Sequence, residues 1–137
     1  MDKNTQGRYY ETLFKAECLK RGLIVLSPEC THLPFDMAVF SGGRFLKVQV
    51  KGTSSLAIHH KTGGRGWSRE YRVDCRTGNN VNYRDLGVDF LAAYVEPKKT
   101  WYIVPSVLLT GSAFRIAKDH EQGRAALCHE RWDYLGA

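Results

Sequence analysis

The apolar positions first fall into a helical rhythm. Tyr10, Leu13, Phe14 and Cys18 stand at i, i+3, i+4 and i+8, the period of a helix with one buried face. This predicts a helix from Thr5 to Arg21, stopped at Gly22, which lacks a Cβ and can turn left-handed. A strand from Leu23 to Leu26 follows, ended by Ser27-Pro28. Phe35 to Phe40 and Phe45 to Lys51 then read as an antiparallel hairpin across Gly42-Gly43. In its second arm Leu46, Val48 and Val50 alternate with Lys47, Gln49 and Lys51. Burial of the apolar set contributes about 1.5–3 kcal/mol per large side chain and fixes the register. The polar trio is thereby displayed on the opposite face.

Further along, Tyr71, Val73 and Cys75 alternate with Arg72, Asp74 and Arg76, which predicts a strand with a basic outer face. Asp89 to Tyr94 and Trp101 to Val104 read as two more strands joined by a Glu-Pro-Lys-Lys turn. Pro105 suits the first position of a short helical turn. The tail from Glu121 to Leu135 reads as partly helical, interrupted at Gly123. The order of elements is α/β, and 137 residues predict a single domain spanning 1–137.

Composition narrows the partner. With 20 Lys and Arg against 14 Asp and Glu, the chain carries a formal charge of +6, which favours a polyanion such as DNA. The cations cluster: His59, His60, Lys61, Arg65, Arg69, Arg72 and Arg76 crowd one segment. That segment also holds Gly63-Gly64 and Gly66, which predicts a mobile loop able to order on phosphates; a solvated hairpin tip is the alternative. Tyr83, within Asn79-Asn80-Val81-Asn82-Tyr83-Arg84, is a candidate phosphate contact or a loop-packing residue. Lys47, beside Gln49 on the polar face, joins the candidate DNA contacts. No apolar run approaches the ~18 residues that span a bilayer, and the N-terminus is polar. The expectation is a protein of a reducing intracellular compartment with no membrane partner and no small-molecule cofactor. Cys18, Cys30, Cys75 and Cys128 are scattered, which predicts buried free thiols rather than a disulfide framework or a zinc site.

The candidate chemistry lies between residues 11 and 51. Asp36 offers a carboxylate, Gln49 an amide oxygen and the Val50 carbonyl a third oxygen, a donor set that suits Mg²⁺. Lys51 can orient a nucleophile or stabilise developing negative charge. Glu11, beside the apolar stripe of the first helix, would complete the set by facing the sheet, although an i, i+4 pair with Lys15 is its plainer role. Such a group fits hydrolysis of a phosphodiester, where a hard cation offsets charge and activates water. Asp89 reads as a structural cap and Asp74 as an exposed charge. His120 and His129 lack partners at the spacing of a Ser–His–Asp or Cys–His hydrolase.

Gly7 and Glu11 in the first helix, Pro34-Phe35-Asp36 and Gln49-Val50-Lys51 resemble the PD-(D/E)XK nuclease superfamily, with Gln49 in place of the usual third-motif acid. Within it the chain is similar to the small cyanobacterial-type, intron-encoded homing endonucleases. The order Val48-Gln49-Val50-Lys51, Asp89 to Tyr94, Trp101 to Pro105 follows that group, so the resemblance runs roughly from Gly7 to Pro105. It implies a restriction-endonuclease-like core, a mixed sheet flanked by helices. It also implies a Mg²⁺-dependent (or Mn²⁺-dependent) endonuclease with Glu11, Asp36, Gln49 and Lys51 at the centre, assembled as a homodimer or homotetramer. Site-specific cleavage is the leading expectation; a Holliday junction resolvase and a non-catalytic DNA-binding module are the alternatives. Phe114, Trp132, Tyr134 and Leu135 would form the subunit interface or close the core.

Overall fold

The computed structural model describes residues 1–60, 67–119 and 123–137, the side chains of 59, 60, 67 and 68 excepted. Helix α1 spans Lys3–Lys20. It begins two residues before Thr5 because Asp2 caps it, with Asp2 Oδ1 accepting the Thr5 N–H at 2.8 Å. Leu23 N–H returns to the Cys18 carbonyl at 2.8 Å across Gly22, at φ 75°, and closes the helix. Tyr10, Phe14 and Cys18 form its buried face, as their spacing requires.

A five-stranded sheet runs in the order β1 (Ile24–Leu26), β2 (Met37–Ser41), β3 (Arg44–Thr53), β6 (Phe90–Val95), β7 (Thr100–Pro105). Only β3 and β6 are parallel, so the sheet is mixed. The β2–β3 turn is Gly42-Gly43, at φ 57° and 78°, the left-handed pair that a two-residue hairpin needs. A parallel step from β3 to β6 requires a crossover. Here the crossover carries β4 (Leu56–His60) and β5 (Trp67–Asp74), and β5 also pairs with β8 (Ala113–Ala117) in a second, three-stranded sheet.

Several expectations change at this point. His59 and His60 belong to strand β4 rather than to a loop, while Lys61, Arg65 and the glycines at 63, 64 and 66 lie outside the described residues. Strand β5 starts four residues before Tyr71 and ends at Asp74, short of Cys75 and Arg76. Pro105 ends β7, and the turn Ser106–Leu108 follows it. Strand β8 carries a period-two signal, Phe114 and Ile116 in and Arg115 out, in a stretch too short to announce itself. The C-terminal helix α2 is six residues, Gly123–Cys128.

Both faces of the main sheet are covered. On one, Val48, Val50, Ala92 and Ile103 pack with Tyr10, Phe14, Trp101, Trp132 and Leu135. On the other, Leu91, Ala93, Val95 and Val104 pack with Tyr71, Val73, Tyr83, Phe114 and Ile116 of the crossover and second sheet. Phe114, Trp132 and Leu135 are thus core residues and unavailable to a subunit interface; Tyr134 is half-buried and stacks on Phe90. Cys18, Cys75 and Cys128 are buried, whereas Cys30 is exposed.

Candidate active site

The site lies where β2 stops short of β3. Met37 is opposite Val48, so Asp36, one residue earlier, stands opposite Gln49. Its N–H donates to the Val48 carbonyl at 2.9 Å, and its Oδ2 accepts the Val50 N–H at 2.8 Å. The carboxylate therefore caps a stretch of β3 edge that no β2 residue covers. A strand residue directs its N–H and C=O to the same edge, so the Val50 carbonyl faces Asp36 too. Gln49 and Lys51 share the opposite sheet face from Val48 and Val50.

Glu11 arrives from α1, on the other side of that edge, and its carboxyl lies within hydrogen-bonding reach of Asp36. Burial pushes the Asp36 carboxyl up to about 7, opposed by the Val50 N–H and reinforced by Glu11, with Lys51 pulling it back. Two carboxyls so close need a shared proton or a cation. Two concavities meet at Asp36. One, about 480 Å³, includes Gln49 and Tyr83 in its lining; the other, about 660 Å³, includes Glu11.

The structure thus places Asp36 opposite Gln49, with Glu11 and Lys51 near enough to act on its carboxyl. Glu11 forms no ion pair with Lys15; its partner is Asp36. Tyr83, a candidate phosphate contact, is 5% exposed and belongs to the core, with the Lys51 ammonium 5.6 Å from its ring centre. It supports Lys51 from below. Lys47 shares the face of Gln49 and is half-buried, its strand clamped by Asp89, whose Oδ2 accepts the Lys47 N–H at 2.8 Å. Asp89 is therefore structural. Arg69 and Arg72 are exposed on β5; Arg72 reaches the buried Glu70 at 3.3 Å, and Arg76 donates to Asn80 Oδ1 at 3.0 Å.

Sequence reasoning overlooked Asn82, although Asn is a common capping residue. Its side chain accepts the Arg84 N–H at 2.9 Å and donates to the Leu109 and Gly111 carbonyls at 3.0 and 3.1 Å. It thereby fixes the 3₁₀ turn Tyr83–Leu86 and the ring beneath Lys51.

Over residues 1–135 the chain matches the sequence profile of the PD-(D/E)XK endonucleases. It belongs to that family. The chain is also similar in structure to the bacterial homing endonuclease I-Ssp6803I, at 27% identity and TM-score 0.73, covering 98% of this chain and 91% of the other. A second neighbour is Hjc, a Holliday junction resolvase of the archaeal hyperthermophile Archaeoglobus fulgidus, at 17% identity and TM-score 0.58, covering 96% of both chains. The latter likeness speaks to the fold alone. No curated protein matches significantly.

Nucleases of this family generally use divalent metal ions. Among the described residues no three His, Cys, Asp or Glu side chains converge. The donor set is instead two carboxyls, an amide and a backbone carbonyl. These are hard oxygen donors, and the paired carboxyls carry the negative charge a cation would offset. The residues fit the group.

Proposed function

We propose that this protein is a Mg²⁺-dependent DNA endonuclease, served also by Mn²⁺, that cuts duplex DNA at specific sites. The observation that carries the reading is the Glu11–Asp36 carboxyl pair at the open edge of β3, beside Gln49 and two residues from Lys51. Glu11, Asp36, Gln49 and the Val50 carbonyl would hold the metal. Once bound there, Mg²⁺ would offset phosphate charge and lower the pKa of an attacking water. Lys51, close enough to draw down the Asp36 pKa, keeps a positive charge where phosphate oxygens become more negative. Tyr83 limits the directions its ammonium can take.

Site-specific cleavage is preferred over junction resolution because the similarity to a homing endonuclease is the stronger of the two and spans 98% of the chain. A homodimer or homotetramer follows from one centre per chain, since two-fold symmetry presents two centres to two strands. The test incubates wild type and Lys51→Ala with Mg²⁺ on linear duplex, supercoiled plasmid and a synthetic four-way junction. Discrete duplex fragments, lost in the variant, support the proposal. Symmetric nicks confined to the junction make it a resolvase, and binding without cleavage makes it a DNA-binding module.

A further inference from the structure

Asn4, Arg8, Glu11 and Lys15 stand at i, i+4, i+7 and i+11 of α1, a stripe beside its buried Tyr10–Phe14–Cys18 face. With Lys3 they line the 660 Å³ concavity, whose other wall includes Ser27 to Pro28 and which reaches Asp36. Several cations elsewhere are paired: Lys20 and Arg21 with Glu17, Lys99 with Glu96, Arg131 with Asp133. Among the described residues Lys3, Arg8 and Lys15 have no acid within ion-pair distance. Glu11, the acid in their midst, is turned to Asp36.

The two concavities that share Asp36 therefore differ in charge. Among the described residues no Lys or Arg lines the 480 Å³ cleft, which includes Leu33, Pro34, Val81 and Leu86. The other gathers three cations, none in an ion pair with a described acid, in one trough that leads to the carboxyl pair. Concave walls in which one sign predominates focus the field and attract a ligand of the opposite sign. Arg8 and Lys15 lie about 10 Å apart along the helix axis, a length over which one DNA strand presents about three phosphates.

We infer that this trough is a track for the phosphodiester backbone of bound DNA, leading the strand to the Glu11–Asp36 edge, with Arg8 and Lys15 neutralising separate phosphates of one strand. The inference rests on the nuclease reading. It adds a phosphate-contact surface on α1, distinct from the basic segment between residues 59 and 76.

The test measures binding of a random-sequence duplex with Ca²⁺ in place of Mg²⁺, to leave it uncut, across a range of NaCl concentrations. Wild-type cleavage in Mg²⁺ is scored alongside. Each phosphate contact contributes about 0.9 to the slope of log affinity against log salt. Arg8→Gln and Lys15→Gln are each expected to shallow that slope by about one such contact, and Arg8→Lys to restore it. Lys20→Gln, which removes a charge of the same helix outside the trough, is expected to leave it unchanged. Slopes for Arg8→Gln and Lys15→Gln equal to wild type, with Mg²⁺ cleavage intact, overturn the track and spare the nuclease reading. A wild type that neither binds nor cuts DNA overturns both.

Discussion

Asp36 is fastened to Val50 by a 2.8 Å hydrogen bond from the Val50 N–H to Asp36 Oδ2. The bond occupies β3 edge that β2 leaves bare, and it couples the acid to the strand that carries Gln49 and Lys51. Asp36→Asn can keep it, because the amide oxygen still accepts. This variant is expected to fold normally and to lose cleavage by about 10²-fold or more, the scale of removing one group that meets developing charge. Asp36→Ala also strands the Val50 N–H, at a cost of about 1–3 kcal/mol. Single-turnover cleavage and thermal melts of the two variants separate these effects.

The raised Asp36 pKa makes stability and metal binding depend on pH in opposite senses. A carboxyl raised on folding stabilises the protein below its unfolded pKa, near 3.8, and that contribution is lost as pH rises through about 7. The metal-free protein is thus expected to lose stability from this group between those limits. A divalent cation, which competes with the proton, should bind more tightly over the same rise. Melting curves from pH 4 to 8 with and without Ca²⁺ check both, and a metal-induced gain in Tm that grows toward acid pH would contradict the assignment.

Gln49 leaves the centre one charge short of three acids. Gln49→Glu is expected to tighten Mg²⁺ binding and to lower the stability of the metal-free protein, because a third acid joins a pair already in conflict. Gln49→Ala should weaken metal binding without that loss. Calorimetric titration with Mg²⁺ gives the first quantity and urea unfolding the second.

Gly52 ties packing to the site. A Cβ there would stand 2.3 Å from the Tyr10 ring, next to Lys51 on one element and Glu11 on the other. Gly52→Ala must push α1 away from β3, an overpacking cost of about 1–3 kcal/mol. The displacement should separate Glu11 from Asp36, so cleavage at saturating DNA is expected to fall even where the variant remains folded by circular dichroism.

Asn82 offers a test from the other face of the sheet. Asn82→Ala removes three hydrogen bonds at a buried position and leaves the Leu109 and Gly111 carbonyls unmatched. A loss of about 1–3 kcal/mol is expected by urea unfolding. The rate should also fall, because the ring beneath Lys51 loses its anchor.

The helix of Tyr10, Phe14 and Cys18, the Gly42-Gly43 hairpin and the alternation through Val48 and Val50 were legible in the sequence, because each is a local periodicity or a local backbone demand. The same periodicities placed Asp36, Gln49 and Lys51 on neighbouring stretches of one hairpin. Strand β8 and the second sheet were not legible, since β5 pairs with a segment some forty residues away and the intervening chain carries no signal of the pairing. Tyr83 in the same way read as a loop residue, and its burial in a cluster with Leu109, Phe114 and Ile116 comes from segments distant in sequence.

The sequence by itself determined which groups are available: two acids, an amide and a lysine spaced so that helix and hairpin geometry can present them. Only the tertiary structure decided that Glu11 meets Asp36, because the docking of α1 on β3 is a long-range packing event governed by Tyr10, Phe14 and Gly52 together. The elevated Asp36 pKa follows from the same cause. Burial and a neighbouring carboxyl arise when distant segments exclude water from a shared edge, and no local pattern encodes that exclusion.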